Sequence, residues 1–296
     1  MQSRGVPKTG LLCMAYGSPR SEADVEAYYT HIRGGRAPSR ESLAELKGRY
    51  RAIGRSPLEE ITQRQTQALG RRLGMPAFAG MKHAPPFIEE AVTQATEQGI
   101  ERLVGLPLAP HFAQMSLGGY ERSIRACWDG ELVFIGGFHD HPAFTAVVRE
   151  LLREATQDFR PERLFFTAHS LPARIVEEGD RYDERLLESC RLVAEGMELP
   201  PWEFAFQSAS TTGEPWLGPD LLEAVERSGA RKVLVCPIGF VADHLEILYD
   251  LDVEAQAFSR EHGLELRRTA SFNDRPAFID ALAAVVRDRL GAAAVS

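Results

Sequence analysis

Two short stretches hold the residues best suited to chemistry. The first is Leu164-Phe165-Phe166-Thr167-Ala168-His169-Ser170-Leu171-Pro172. It reads as a buried strand that stops at a polar tip. Adjacent phenylalanines point to both faces, as in a strand covered by helices on both sides. His169 stands where the strand runs out, and Pro172 blocks its continuation. In open parallel sheets, ligands bind beyond the carboxyl ends of the strands. A histidine there can ligate a metal or accept a proton near neutral pH. The alternative is a histidine that only hydrogen-bonds a loop carbonyl.

The second stretch is Pro237-Ile238-Gly239-Phe240-Val241-Ala242-Asp243-His244-Leu245-Glu246, which follows the apolar strand Val233–Cys236. Asp243 and Glu246 fit a capping box, which would give Glu246 a purely structural task. The carboxylates continue, however. Glu246, Asp250 and Glu254 fall four residues apart and would form one column on a helix. Stacked like charges destabilise a helix slightly, whereas a path for cations would use them. Imidazole from one strand end and carboxylate from a neighbouring one make a mixed N/O site. That donor set suits Fe(II) or a similar ion held in transit and is too poor for a structural zinc. Tyr16 closes the first strand, Gly10–Ala15, and faces the same kind of crevice.

The elements that must position these residues alternate. Helices are expected over Ser21–Ile32, Ser39–Ile53 and Ser56–Leu73, with Gly34-Gly35 and Gly54 as stops. The segment between the first two strands is therefore long, and its arginines suggest a lip over a site. Strands at Ala77–Met81, Arg102–Leu108 and Leu132–Phe138 alternate with helices at Pro86–Gln98 and about Gly118–Trp128. After a helix at Pro142–Ala155 the same order recurs around the His169 strand. Strands are expected at Phe204–Ser208, Lys232–Pro237 and Leu264–Thr269, and helices at Asp183–Met197, Asp220–Ser228, Asp243–Phe258 and Pro276–Leu290. This is α/β order: two Rossmann-like domains, each a roughly four-stranded parallel sheet flanked by helices, with the site in the cleft between them. The first domain spans 1–145 and carries the lip, joined by the C-terminal helix 275–296. The second spans 146–274 and carries His169 and Glu246. Only element order repeats between the halves.

The 296 residues are 44% hydrophobic and 26% charged, a soluble globular composition. A net charge of −8 argues against nucleic acid. No apolar run is long enough to span a bilayer, and the first residues lack a signal-peptide core, so a cytoplasmic protein is expected. Cys13, Cys127, Cys190 and Cys236 are far apart in sequence, and no CxxC pair signals zinc or an iron–sulfur cluster. Neither G-x-G-x-x-G nor a P-loop occurs, so no nucleotide cofactor is supported.

Taken together these stretches resemble the ferrochelatases, specifically the soluble type that uses coproporphyrin III. The resemblance covers nearly the whole chain. It rests on Met14-Ala15-Tyr16-Gly17, Tyr28-Tyr29-Thr30-His31-Ile32-Arg33, Ser56-Pro57-Leu58, Leu108-Ala109-Pro110-His111-Phe112, the His169 stretch, Gly179-Asp180-Arg181-Tyr182, Pro215-Trp216-Leu217-Gly218-Pro219-Asp220, and the run ending at Glu246. It implies insertion of Fe(II) into coproporphyrin III to give coprohaem and two protons, with iron as substrate and no permanently bound cofactor. His169 and Glu246 would meet the iron, and His169 would accept pyrrole protons. Tyr16 would ligate the product iron from the opposite face. Arg33, Arg49, Tyr50, Ser56 and Tyr120 would hold the macrocycle and its propionates. Asp250 and Glu254 would extend the metal path outward. A monomer is implied. The turn Gly54-Arg55-Ser56 is a residue shorter than the family pattern.

Relatives that use protoporphyrin carry an apolar lip that meets the membrane, whereas Ser18–Arg55 is polar and charged here. Some relatives hold a [2Fe–2S] cluster; these cysteines predict none. Other readings stay open: a protoporphyrin IX ferrochelatase, a chelatase for another tetrapyrrole with a second metal-side histidine (His111 or His244), or a non-catalytic porphyrin or haem carrier.

Overall fold

Chain order decides the sheets. In the computed structural model, which describes residues 7–210 and 213–293, eight strands form two separate parallel sheets. Residues 1–6 and 294–296, the two ends of the first domain as read from the sequence, lie outside the described residues.

The first sheet holds β1 (Thr9–Ala15), β2 (Ala77–Met81), β3 (Arg102–Pro107) and β4 (Glu131–Phe134), in the order β2-β1-β3-β4. Between β1 and β2 run a 3-10 turn (Glu22–Asp24), α1 (Val25–Ile32), α2 (Arg40–Ile53) and α3 (Leu58–Leu73). Then α4 (Ile88–Glu97), α5 (Leu117–Arg125) and α6 (Pro142–Gln157) follow β2, β3 and β4. The second sheet holds β5 (Arg163–His169), β6 (Trp202–Gln207), β7 (Lys232–Cys236) and β8 (Glu265–Arg268), in the order β6-β5-β7-β8. Its helices are α7 (Arg174–Glu177), α8 (Tyr182–Ala194), α9 (Leu221–Ser228), α10 (Leu245–Leu248) and α11 (Ala255–Glu261), and α12 (Pro276–Ala293) ends the described chain. Both sheets thus have the order 2-1-3-4. In each, the direction of winding reverses between the first and third strands, which opens a crevice at their carboxyl ends.

Local sequence explains most boundaries. Ser39 caps α2 by accepting from Ser42 N–H, and Gly54 ends it in a positive-φ turn. Ser21 donates both its N–H and its hydroxyl to Asp24 Oδ2, at 3.0 and 2.7 Å, at the turn before α1. One strand is shorter than expected. The register pairs Gly105 with Phe134, so the next β3 residue that should donate to β4 is Pro107, which has no N–H. The ladder therefore stops, and β4 ends at Phe134, not Phe138. The helix expected over Asp243–Phe258 is also not continuous: α10 gives way to a π-helical turn at Asp250–Glu254 before α11.

One apolar cluster joins the halves. It includes Leu11 and Val104 of the first sheet, Phe166 and Leu234 of the second, and Phe278 and Leu282 of α12. α12 packs on both α3 and α6. Two glycines then bring the strand-end loops close to the sheets. Gly17 follows β1 at φ +94°, and Gly239 donates its N–H to Thr167 O on β5 at 3.0 Å. A Cβ on Gly239 would stand 2.4 Å from the Ala168 Cβ and 2.8 Å from its Cα. Gly239→Ala should therefore cost about 1–3 kcal/mol, read as a lower urea midpoint with unchanged slope. A midpoint equal to the parent's would show that the loop can lift from β5 freely.

Candidate metal and porphyrin site

His169 is the last residue of β5, next to Gln207 on β6. Its Nδ1 is hydrogen-bonded to the Ser170 carbonyl. A carbonyl only accepts, so Nδ1 carries the proton and Nε2 is the atom offered to the cleft. That Nε2 lies 3.4 Å from Glu246 Oε1. On the other side of the carboxylate, His244 repeats the arrangement: Nδ1 bonds the Ala242 carbonyl at 2.8 Å, and Nε2 lies 3.5 Å from Glu246 Oε2. One recessed carboxylate is thus shared by two imidazoles, each oriented by a backbone carbonyl.

The charges follow from that sharing. Loss of water alone would raise the Glu246 carboxyl, but the His169 and His244 charges and hydrogen bonds overcome it and hold it well below the carboxylate range. Burial alone would lower both histidines, and the Glu246 charge reverses this, so both are raised. At neutral pH the trio carries protons that an arriving cation must displace. Among the described residues, no three His, Cys, Asp or Glu side chains form a ready metal cage.

The carboxylate column is present, with one correction. Glu246 does not cap a helix. Asp243 instead accepts from Ser271, Asn273 and Arg268, and the residue before α10 is His244, with no side-chain cap. The 246–243 pairing predicted from spacing fails because residues about thirty positions away claim Asp243 first. Asp250 is buried, accepts from the Ser208 hydroxyl, and lies 3.6 Å from the Arg49 guanidinium. Burial first, then the charge of Glu246, raise its carboxyl to about 6. Glu254 is exposed at the outer end. Gln207, itself buried, fastens the inner end: Nε2 donates to the Glu246 carbonyl at 2.8 Å while Oε1 accepts from Thr167 at 2.8 Å.

Tyr16 stands just beyond β1. It is 42% exposed, yet its phenol is raised by loss of water and by the Glu246 charge. Its ring packs against His83, with centroids 4.5 Å apart. His83 Nδ1 in turn faces His31 Nδ1 at 3.0 Å, and burial, Lys82 and His31 lower His83 to about 4. Tyr50 on α2 and Tyr120 on α5 are buried. Tyr50 packs edge-on against Tyr28 at 6.5 Å, and the Lys82 ammonium lies 5.4 Å from the Tyr120 ring centroid. Arg33 is exposed beyond α1, its guanidinium 5.7 Å from the Tyr29 ring. Arg49 bridges Glu45 at 2.9 Å and stacks over Tyr249 at 5.1 Å. Ser56 is buried at the start of α3, where its hydroxyl accepts from Leu58 N–H at 3.4 Å.

The structure therefore brings together His169, Glu246, Asp250 and Arg49, and places Tyr16 close enough to feel the Glu246 charge. It keeps Ser56 on its own helix start. Sequence reasoning assigned no contact role to Gln207, Ser208, His83 or Lys82, which no motif marks, and it weighed His244 only for another chelatase. His111 is fully buried with neither ring nitrogen bonded, its ring 5.5 Å from His139.

Asp250 allows a signed stability prediction. A carboxyl raised in the folded state makes stability fall as pH climbs from the unfolded value of 3.8 through about 6. Asp250→Asn should stabilise the protein at pH 7.5 by up to about 3 kcal/mol, and the gain should shrink steadily toward pH 4.5. Thermal midpoints across that range check it; a gain independent of pH would contradict the assignment.

Comparisons with known proteins identify the family. Residues 8–290 match the family model described as Ferrochelatase. The chain is 41% identical over 304 residues to the coproporphyrin III ferrochelatase of Geobacillus sp. (strain WCH70), covering 96% of this chain and 98% of that one. It is 41% identical over 307 residues to the protein of the same name from Bacillus subtilis (strain 168), with the same coverage. The ferrochelatase of Herpetosiphon aurantiacus is 40% identical over 299 residues, covering 94% and 98%. Among solved structures, SirB from Bacillus subtilis with Fe3+ superposes with a TM-score of 0.63 at 12% identity, covering 95% of both chains. CbiX, the terminal enzyme of sirohaem biosynthesis in denitrifying bacteria, gives 0.58 at 14%, covering 94% and 98%. At those identities the two structures speak for the fold alone, and the paired His169 and His244 do not move the chain toward them. The matched residues reach from the first strand to the last helix, and the chain belongs to the ferrochelatase family.

Proposed function

We propose that the protein is a lyase that inserts Fe(II) into coproporphyrin III, giving Fe-coproporphyrin III (coprohaem) for haem biosynthesis. One observation carries the reading: the Nε2 atoms of His169 and His244 flank Glu246 beyond the end of β5, with Tyr16 close enough to feel that carboxylate's charge.

Insertion releases two pyrrole protons for each iron taken up. The lone pairs of a flat macrocycle point at one another, so a cleft that favours a bent porphyrin lowers the barrier. In this scheme Fe(II) meets His169 and Glu246 and displaces the proton they share. When the iron passes on to the macrocycle, Nε2 of His169 is vacated and takes up one pyrrole proton, and the second leaves through the Glu246 and Asp250 carboxylates to water. Asp250, near neutrality in its titration, and the exposed Glu254 form the outward path. Tyr16 takes the axial position on the product from the opposite face. Arg33 and Arg49 suit the four propionates as bidentate partners, and the Tyr50, Ser56 and Tyr120 hydroxyls are the neutral donors. Arg49 would serve both a propionate and Asp250.

The name of two relatives and the polar lip support coproporphyrin over protoporphyrin IX. No helix among the described residues is long and apolar enough to cross a membrane. The reading includes a cytoplasmic monomer with no resident cofactor or iron–sulfur cluster, and domains at 1–145 with 275–296 and at 146–274.

The test is anaerobic mixing of protein, Fe(II) and coproporphyrin III, followed by visible absorption, with protoporphyrin IX and His169→Ala in parallel. The free-base bands should collapse to a metalloporphyrin spectrum, faster with coproporphyrin. His169→Ala should lower the rate at least about 100-fold. Porphyrin binding without metalation in the parent would make the protein a carrier. Because Glu246 raises His169 to about 9, the KM for Fe(II) should fall as pH rises toward 9, as the displaced proton becomes easier to lose. A pH-independent KM would remove His169 from the metal.

A further inference from the structure

Only Ser208 and Asn273 among the described non-glycine residues have positive φ; Asn273 sits at +46°, between β8 and α12. Left-handed backbone is tolerated by asparagine at some cost, and it persists where the surroundings over-determine it. Here they do so at four points. Nδ2 donates to Asp243 Oδ2 at 2.8 Å, and Oδ1 accepts from the Asp243 N–H at 2.8 Å. The Asn273 N–H donates to the Val241 carbonyl at 3.0 Å, and its carbonyl accepts from Gln65 Nε2 on α3 at 2.7 Å. The remaining Asp243 oxygen accepts from Ser271 Oγ at 2.6 Å and from Arg268 at 3.3 Å. One asparagine thus clasps both the backbone and the side chain of the segment that leads into His244 and Glu246. It ties that segment to a helix of the other half.

We propose that Asn273 is a positioning residue for metal insertion: its amide clasp on Val241 and Asp243 fixes the strand-end segment so that Glu246 stands against His169. The proposal rests on the assignment of Glu246 to the iron. A carboxylate whose carrier segment drifts by a fraction of an ångström loses its shared geometry with the two imidazoles, and outer groups that orient metal ligands have measurable effects on metal affinity. The clasp borders an open recess of about 470 Å³ that Asp243, Arg268 and Asn273 help to line. Truncating the amide there admits water and leaves no dry cavity.

The experiment compares the parent with Asn273→Ala, Asn273→Gly and the control Arg64→Ala, which breaks the neighbouring ion pair to Asp274 (2.8 Å). For each, one measures kcat, the KM for Fe(II), the coproporphyrin Kd by fluorescence quenching and the thermal midpoint. Both Asn273 variants should raise the KM for Fe(II) about 10-fold or more, with the porphyrin Kd unchanged. Arg64→Ala should move the midpoint only. A parental KM in Asn273→Gly, which adopts the same backbone freely, would reduce the residue to a turn former and overturn the proposal. So would a loss in both variants that follows the thermal midpoint with KM unchanged. A parent that inserts no iron overturns the functional reading itself, and the comparison between variants separates the two failures.

Discussion

A carboxylate drawn away from water is expensive unless opposite charge and hydrogen bonds surround it. Glu246 is the point at which the protein meets that constraint. Two imidazoles compensate it, each locked by a backbone carbonyl so that only Nε2 can turn toward the oxygens. The arrangement is self-consistent without metal, because the histidines hold protons where a cation would hold charge. The protons on the imidazoles are the charge that an arriving cation has to displace. Much of the surrounding structure serves to keep these three side chains in register: the ends of β5 and β6, the loop over Gly239, and the network on Asp243.

The two halves solve the same geometric problem twice. Each sheet winds 2-1-3-4, so each has a crevice between its first and third strands. Tyr16 stands just beyond the first strand of one half, and His169 ends the first strand of the other. These are equivalent places in the two windings. The shared apolar cluster and α12 hold the two sheets together. The long insertion between β1 and β2 breaks the equivalence. It adds α1 and α2 to one half only, which is where the arginines and tyrosines of the lip lie.

Patterns that depend on neighbours in the chain were legible in the sequence. The α/β order, the strand carrying His169 and the acid spacing at Glu246, Asp250 and Glu254 all follow from local composition and period. What depends on distant partners was not. The Asp243–Glu246 spacing is a sound capping signal, yet Ser271 and Asn273 occupy Asp243 from across the fold. β4 ends early because Pro107 on another strand cannot donate. Gln207 and Ser208 look like the unremarkable end of a strand until α10 is laid beside them. A π turn leaves no periodic trace over five residues, and the contact of Lys82 with Tyr120 spans 38 positions.

That π turn alters how the acids line up. On an α-helix, residues four apart overshoot a full revolution by about 40°, so three acids at that spacing would wind around the axis by about 80°. A turn that closes one residue wider winds more slowly, and the same four-residue step falls short of a revolution. Placed between Asp250 and Glu254, the slow turn cancels most of the drift accumulated between Glu246 and Asp250. The three carboxylates then share nearly one azimuth, rising from the recessed end to the surface like rungs on one side of a pole. Replacing the slow turn by an ordinary helical one without removing a residue would carry Glu254 about 80° around the axis from Glu246, without touching any side chain that meets the ion.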